Sequence, residues 1–235
     1  MRRVLRLIGF FFAVFVALRI LQTIPVVGGL FHGFFGFWVA AIALAWLLSI
    51  ATERWLARRR LARQIQALGH VDNPHIRGKR GALLLASGRA ERALGDLEAA
   101  VAGEPEVVEW RYRLGLARLA LGKPREAAED LNAAEALFAD HAYGGIQLAL
   151  ARAELAQGEP RRALEALQRF ELPRGDTPES AYLRGKVHAK SGRRSEALPC
   201  FTTVEALYEH TPKFQRRAQL RWLWRARLAR LGLVL

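Results

Sequence analysis

The strongest constraint on this chain is an internal repeat. Four segments align: GRAERAL at 88–94, GKPREAA at 122–128, GEPRRAL at 158–164 and GRRSEAL at 192–198. Their glycines are spaced 34, 36 and 34 residues apart. Seven residues upstream of each stands a small residue: Gly81, Gly115, Ala151 and Gly185. Five downstream stands alanine (Ala93, Ala127, Ala163, Ala197), and nine downstream a bulky apolar residue (Leu97, Leu131, Leu167, Phe201). A fixed period of this length means a stack of similar supersecondary units, each burying its apolar face against the next.

The columns have a mechanical reading. The repeat glycine ends a first helix where a left-handed residue is needed. Pro124 and Pro160 fall in the first turn of a second helix, where a missing donor costs nothing. The small residues sit where the two helices of a unit cross closely, and the bulky one fills the layer between units. This predicts first helices at about 76–87, 108–121, 142–157 and 178–191, and second helices at about 90–103, 124–138, 160–170 and 194–208. The two extra residues between the second and third glycines fall near Asp140 to Gly145, and 170–178 reads as a loop between repeats. No stretch alternates with period two, so no sheet is expected.

Over residues 74–209 these columns resemble the tetratricopeptide repeat (TPR) family. Small residues at repeat positions 8 and 20, glycine at 15 and a bulky residue at 24 form that family's pattern. The early aromatic column is not kept, although Trp110 lies near it, and a closing proline occurs only as Pro105. The resemblance implies a right-handed α-solenoid of about four repeats, no catalysis and no cofactor. It also implies a concave wall lined by first-helix positions 2, 5, 9 and 12. Residue by residue these are His75, Gly78, Ala82 and Leu85; Glu109, Tyr112, Leu116 and Leu119; Gly145, Leu148, Arg152 and Leu155; Glu179, Tyr182, Lys186 and Ala189. Of these, Tyr112, Leu116, Arg152, Leu155, Tyr182 and Lys186 are the expected protein-binding residues. The wall lacks the asparagine and most of the lysines of the clamp that grips chaperone carboxyl-termini. The ligand expected is a protein segment with apolar residues and at least one carboxylate.

Outside the repeats the chain is basic. Its formal charge is +14. Residues 1–75 hold nine arginines against Glu53 and Asp72, residues 211–235 hold seven basic residues and no acid, and the middle is neutral. Arginine outnumbers lysine 31 to 5, which fits a GC-rich, bacterial coding habit.

Val4–Ile24 and Leu30–Ala51 are nearly all apolar, and each has the ~20 residues of helix that span a bilayer. Ile24-Pro25-Val26-Val27-Gly28-Gly29 breaks them cheaply. Arginines precede the first run and follow the second, so the positive-inside rule predicts a transmembrane hairpin with both termini cytoplasmic. The expected layout is all-α. A two-span hairpin occupies 1–52, a basic juxtamembrane helix and linker 53–73, four repeats 74–209, and a basic capping helix 210–235. The expected location is the bacterial inner membrane, the bilayer being contacted through residues 4–51.

Arg58, Arg59, Arg60 and Arg63 beside Trp55, and Arg217, Arg221 and Arg225 on the last helix, offer surfaces for anionic lipid headgroups. On that helix Leu220, Leu223, Trp224, Leu228 and Leu231 share one face at helical spacing and are expected to pack on the last repeat, with Trp222 pointing away. No phosphate-binding loop or nucleophile elbow occurs, and no histidine pair has metal-ligand spacing. Cys200, beside Phe201, reads as core filler.

The function these features favour is a membrane-anchored scaffold that recruits or assembles a protein complex. The alternatives are a nucleic-acid or anionic-polymer binder using the basic ends, and an accessory subunit of a membrane enzyme or transporter.

Overall fold

A computed structural model describes residues 9, 12, 15, 16, 34–70 and 72–234. The chain divides into Met1–Ala67 and Leu68–Leu235. In the first unit the described residues centre on one long helix, α1 (Phe34–Leu68). Its Ile42, Trp46 and Leu47 are exposed and Ala45 is buried.

The transmembrane hairpin is corrected: among the described residues no helix is long and apolar enough to cross a membrane. Most of the first apolar run, and the turn at Ile24–Gly29, lie outside the described residues. In the second run Ile42 to Ala51 are apolar apart from Ser49. Beyond them α1 becomes the charged Glu53–Arg63 segment. The integral inner-membrane location, with both termini cytoplasmic, and the bilayer contact through residues 4–51 fall with the hairpin.

Every regular element among the described residues of the second unit is a helix. Its repeats are α2 (Pro74–Ala86) with α3 (Ala90–Gly103), α4 (Val108–Ala120) with α5 (Pro124–Leu137), α6 (Gly145–Gln157) with α7 (Pro160–Arg174), and α8 (Pro178–Lys190) with α9 (Arg194–His210). A last helix, α10 (Lys213–Val234), follows.

Each first helix ends in the same way. Gly88, Gly122, Gly158 and Gly192 have φ of 72–85°, the left-handed region where a Cβ is penalised. The next residue's N–H then reaches back to a carbonyl five residues upstream. The pairs are Arg89 to Leu84, Lys123 to Arg118, Glu159 to Glu154 and Arg193 to His188, each 2.9 Å. This is the six-to-one bond of a Schellman cap, and it turns the chain into the second helix. Proline opens α2, α5, α7 and α8. Asn73 caps α2, and Thr177 and Ser180 form a capping box on α8.

The core is layered. Ala127, Leu131, Ala134, Ile146, Ala149, Leu150, Ala166, Leu167 and Phe170 form its largest cluster. A second cluster joins Ala181, Ala197, Phe201 and Val204 to Trp222 and Ala226 of α10. The helices pack chiefly on their neighbours in sequence, as expected of a linear array. Two details differ from expectation. Helix α7 runs on to Arg174, carrying Pro173 in its last turn, where the Arg169 carbonyl forgoes its intrahelical donor. The insertion before α6 forms a 3-10 turn, His141–Gly144, in which Ala142 (φ 54°), Tyr143 (φ 52°) and Gly144 (φ 80°) are all left-handed.

Candidate binding groove

The first helices α4, α6 and α8 touch one another in series, more than the second helices do, and α10 extends that row. The first-helix side is therefore the inner wall of the array. Most of its residues face a neighbour before they face any ligand.

At the early end, Tyr112 and Leu116 pack partly buried against the main core cluster. Gly145 leaves room for Tyr112: a Cβ there would meet the tyrosine hydroxyl at 2.7 Å. The Tyr112 ring stands edge-on to His141, 5.5 Å between centroids. His141 Nε2 lies 2.6 Å from Glu109, which also accepts from Arg113 at 2.5 Å. Burial pushes the Tyr112 hydroxyl pKa up, so it stays protonated. Tyr112 and Leu116 thus brace the wall, away from the cavity at its late end.

At the late end, α6, α8 and α10 enclose a cavity of about 490 Å³. Arg152, Leu155, Tyr182 and Lys186 converge there as expected, joined by Lys190, Trp222 and Arg225, which sequence reasoning did not assign to the groove. Arg152 Nη2 donates to the buried Glu179 at 2.6 Å, which fixes its direction. The Tyr182 ring packs 5.4 Å from Trp222 and 5.9 Å from Phe201. Arg221 and Arg225 sit over the Trp222 ring at 4.7 and 5.0 Å, within cation–π range. Lys190 Nζ donates to the Leu155 carbonyl at 3.2 Å. The cavity has an apolar and aromatic floor and four cations, with Glu179 already committed to one of them. A slightly larger hollow, about 560 Å³, opens at the repeat turns beside Leu85, Gly88 and Leu121. It lacks aromatic residues and its charges are of both signs.

The expected packing face of the last helix is corrected. Trp222, Leu223 and Ala226 are buried, whereas Leu220, Trp224, Leu228 and Leu231 are 39%, 55%, 66% and 59% exposed. The helix carries apolar residues nearly all round, so its periodicity selects no face. The large indole of Trp222 fills the space above Phe201 and Tyr182. Arg58, Arg59, Arg60 and Arg63 are exposed on α1, with Arg59 stacked 3.6 Å over Trp55. Cys200 is half-buried, its thiol directed at the Glu196 carbonyl. Among the described residues no group of three metal-ligating side chains comes together.

Comparisons with known proteins agree with this architecture. The tetratricopeptide repeat family profile matches residues 79–142 and 148–209. No curated protein matches the chain. Among solved structures, a thermophilic TPR protein of Thermus thermophilus superposes with a TM-score of 0.55 at 21% identity, covering 74% of this chain and 94% of that one. The TPR-like repeats of a Podosopora anserina putative kinesin light chain superpose at 0.50 and 21% identity, covering 70% and 94%. Both likenesses bear on the fold alone. With more than half its length matched by the family profile and four repeats in register, this chain belongs to the tetratricopeptide repeat family.

Proposed function

We propose that this chain is a protein-binding adaptor that holds a segment of another protein in the late half of its inner wall. Repeats of this family mediate protein–protein interactions. The reading rests on one observation. The cavity between α6, α8 and α10 joins an aromatic floor, Tyr182 and Trp222, to cations on its walls, Arg152, Lys186, Lys190 and Arg225. Aromatic and arginine anchors in a partly desolvated recess carry most of the energy of such interfaces. An acidic group entering here finds Lys186 and Arg225 without a carboxylate partner among the described residues, while Arg152 is held by Glu179. The segment that fits carries an apolar side chain for the floor and at least one carboxylate for the walls. A scaffold role in assembling a complex follows if that segment belongs to one member of the complex.

Lys186 and Arg225 are both exposed, so both can be changed without opening the core. Lys186→Glu with Arg225→Glu should abolish recovery of the partners that the full chain captures by crosslinking in native cells. The melting temperature should stay within a few degrees. Unchanged recovery of the same partners would exclude the groove as the binding site.

A further inference from the structure

The outer face of α10 is the most extended apolar surface that the described repeats leave uncovered. On a helical projection Leu220, Trp224, Leu228 and Leu231 form one ridge, opposite the buried Trp222, Leu223 and Ala226. The spacing i, i+4, i+8, i+11 is that of a ridge that seats in the groove of another helix. In a solenoid this is the side on which a further helix would stack.

The two flanks of the ridge differ. On one side Arg227 and Arg230 turn down onto Glu205 of α9, at 3.0 and 3.7 Å. On the other side Arg217 and Arg221 have no carboxylate partner among the described residues. Glu205 offsets one of the two charges on its side, so the larger uncompensated charge runs along the Arg217–Arg221 edge.

We propose that this face docks a helix of another protein, one with an apolar ridge and carboxylates along the edge that meets Arg217 and Arg221. A second copy does not fit: α10 has seven basic residues and no acid, so two such faces would oppose like charges. A headgroup layer would meet both flanks alike and makes no use of the difference between them. The ridge lies on the opposite face of α10 from the groove, Arg221 alone reaching both through its stacking on Trp222, and the serine variant tests the ridge independently of the groove reading.

The probe is a stapled, fluorescein-labelled helical peptide as long as α10. It carries leucine at the ridge spacing and glutamate along one edge, and a twin carries lysine at those edge positions. Titrated with the full-length protein, the glutamate peptide should bind saturably, and its twin at least about tenfold more weakly. Trp224→Ser with Leu228→Ser, both exposed positions, should remove binding at an unchanged melting temperature. Arg217→Glu with Arg221→Glu should reverse the preference between the peptides, and Lys186→Glu in the groove should leave it intact. Absence of saturable binding up to about 1 mM, or equal binding of the two peptides, overturns the proposal. So does retention on phosphatidylglycerol vesicles that is lost in the serine variant, which gives the face to lipid. Dimerisation of the full chain that is lost in that variant also overturns it, in favour of a second copy.

Discussion

Gly115 of α4 lies directly against Leu131 of α5: a Cβ added to the glycine would stand 2.6 Å from Leu131 Cγ and 3.2 Å from the Ala127 carbonyl oxygen. The same sixteen-residue relationship joins Gly81 to Leu97 at 2.7 Å and Gly185 to Phe201 at 2.8 Å. The small column and the bulky column are therefore two halves of one contact. Each first helix gives up a side chain so that its second helix can insert one.

This contact predicts a coupled pair of substitutions. Gly115→Ala should overpack the crossing and cost about 1–3 kcal/mol, offset in part by the lower backbone entropy of the unfolded chain. Leu131→Ala should cost about 2–5 kcal/mol. The double variant should be more stable than the sum of the two losses implies, because the new methyl enters the space that leucine vacates. Denaturant unfolding of the three variants measures the coupling, and strict additivity would place the two residues out of contact.

The last helix allows a sharper contrast. Trp222 is 3% exposed and Trp224 is 55% exposed. Trp222→Ala should destabilise the full chain by about 3–5 kcal/mol, the usual range for a buried aromatic truncated to alanine. Trp224→Ala should stay within about 0.5 kcal/mol. Equal losses in thermal melts would mean that α10 packs through a different face.

Burial of Asp130 pushes its carboxyl up to about 6, against the attraction of Arg118 at 2.9 Å. The native state thus holds this proton to higher pH than the unfolded chain, whose value is near 3.8. Its contribution is greatest below the unfolded pKa and is lost as pH rises through 4 to 6. Asp130→Asn removes that dependence. The melting temperature of the variant relative to the parent should therefore climb between pH 4 and 6.5 and then level off, corresponding to roughly 1–3 kcal/mol. A difference that falls with rising pH would show that the Arg118 pair dominates over burial.

Tyr143 holds a left-handed backbone (φ 52°) with its side chain 90% exposed. Strain of this kind costs about 1–2 kcal/mol in a residue with a Cβ. Tyr143→Gly should raise the melting temperature by a few degrees, because little packing is lost and the strain is relieved. A lower melting temperature would show that the exposed ring is held by contacts worth more than the strain.

The repeat register was legible before any coordinates, because its signals are local and occur four times. A glycine at the left-handed cap, a proline in the first turn and a small–bulky pair sixteen residues apart each depend on backbone geometry that the sequence writes directly. The place of four cavity-lining residues was legible for the same reason: once the register is known, Arg152, Leu155, Tyr182 and Lys186 fall on the inner side of their helices. Tyr112 and Leu116 fall there too, yet the packing of α4 on α6 absorbs them.

Other features had no local signal. The ion pairs Arg152–Glu179, Arg169–Glu135 and Arg174–Asp140 join residues 27 to 34 apart, and only the stacking of repeats brings them together. Hydropathy along the first 52 residues pointed to two spans, but a bilayer needs an unbroken length of apolar helix, and the described helices do not supply it. The sequence alone determined the family, the register and the turns, since each repeat solves the same short-range packing problem. The face of α10 that packs, and with it the closure of the groove by Trp222 and Arg225, was decided by the tertiary structure. An evenly apolar helix takes its orientation from the shape it covers, here the space left above Phe201, Val204 and Tyr182.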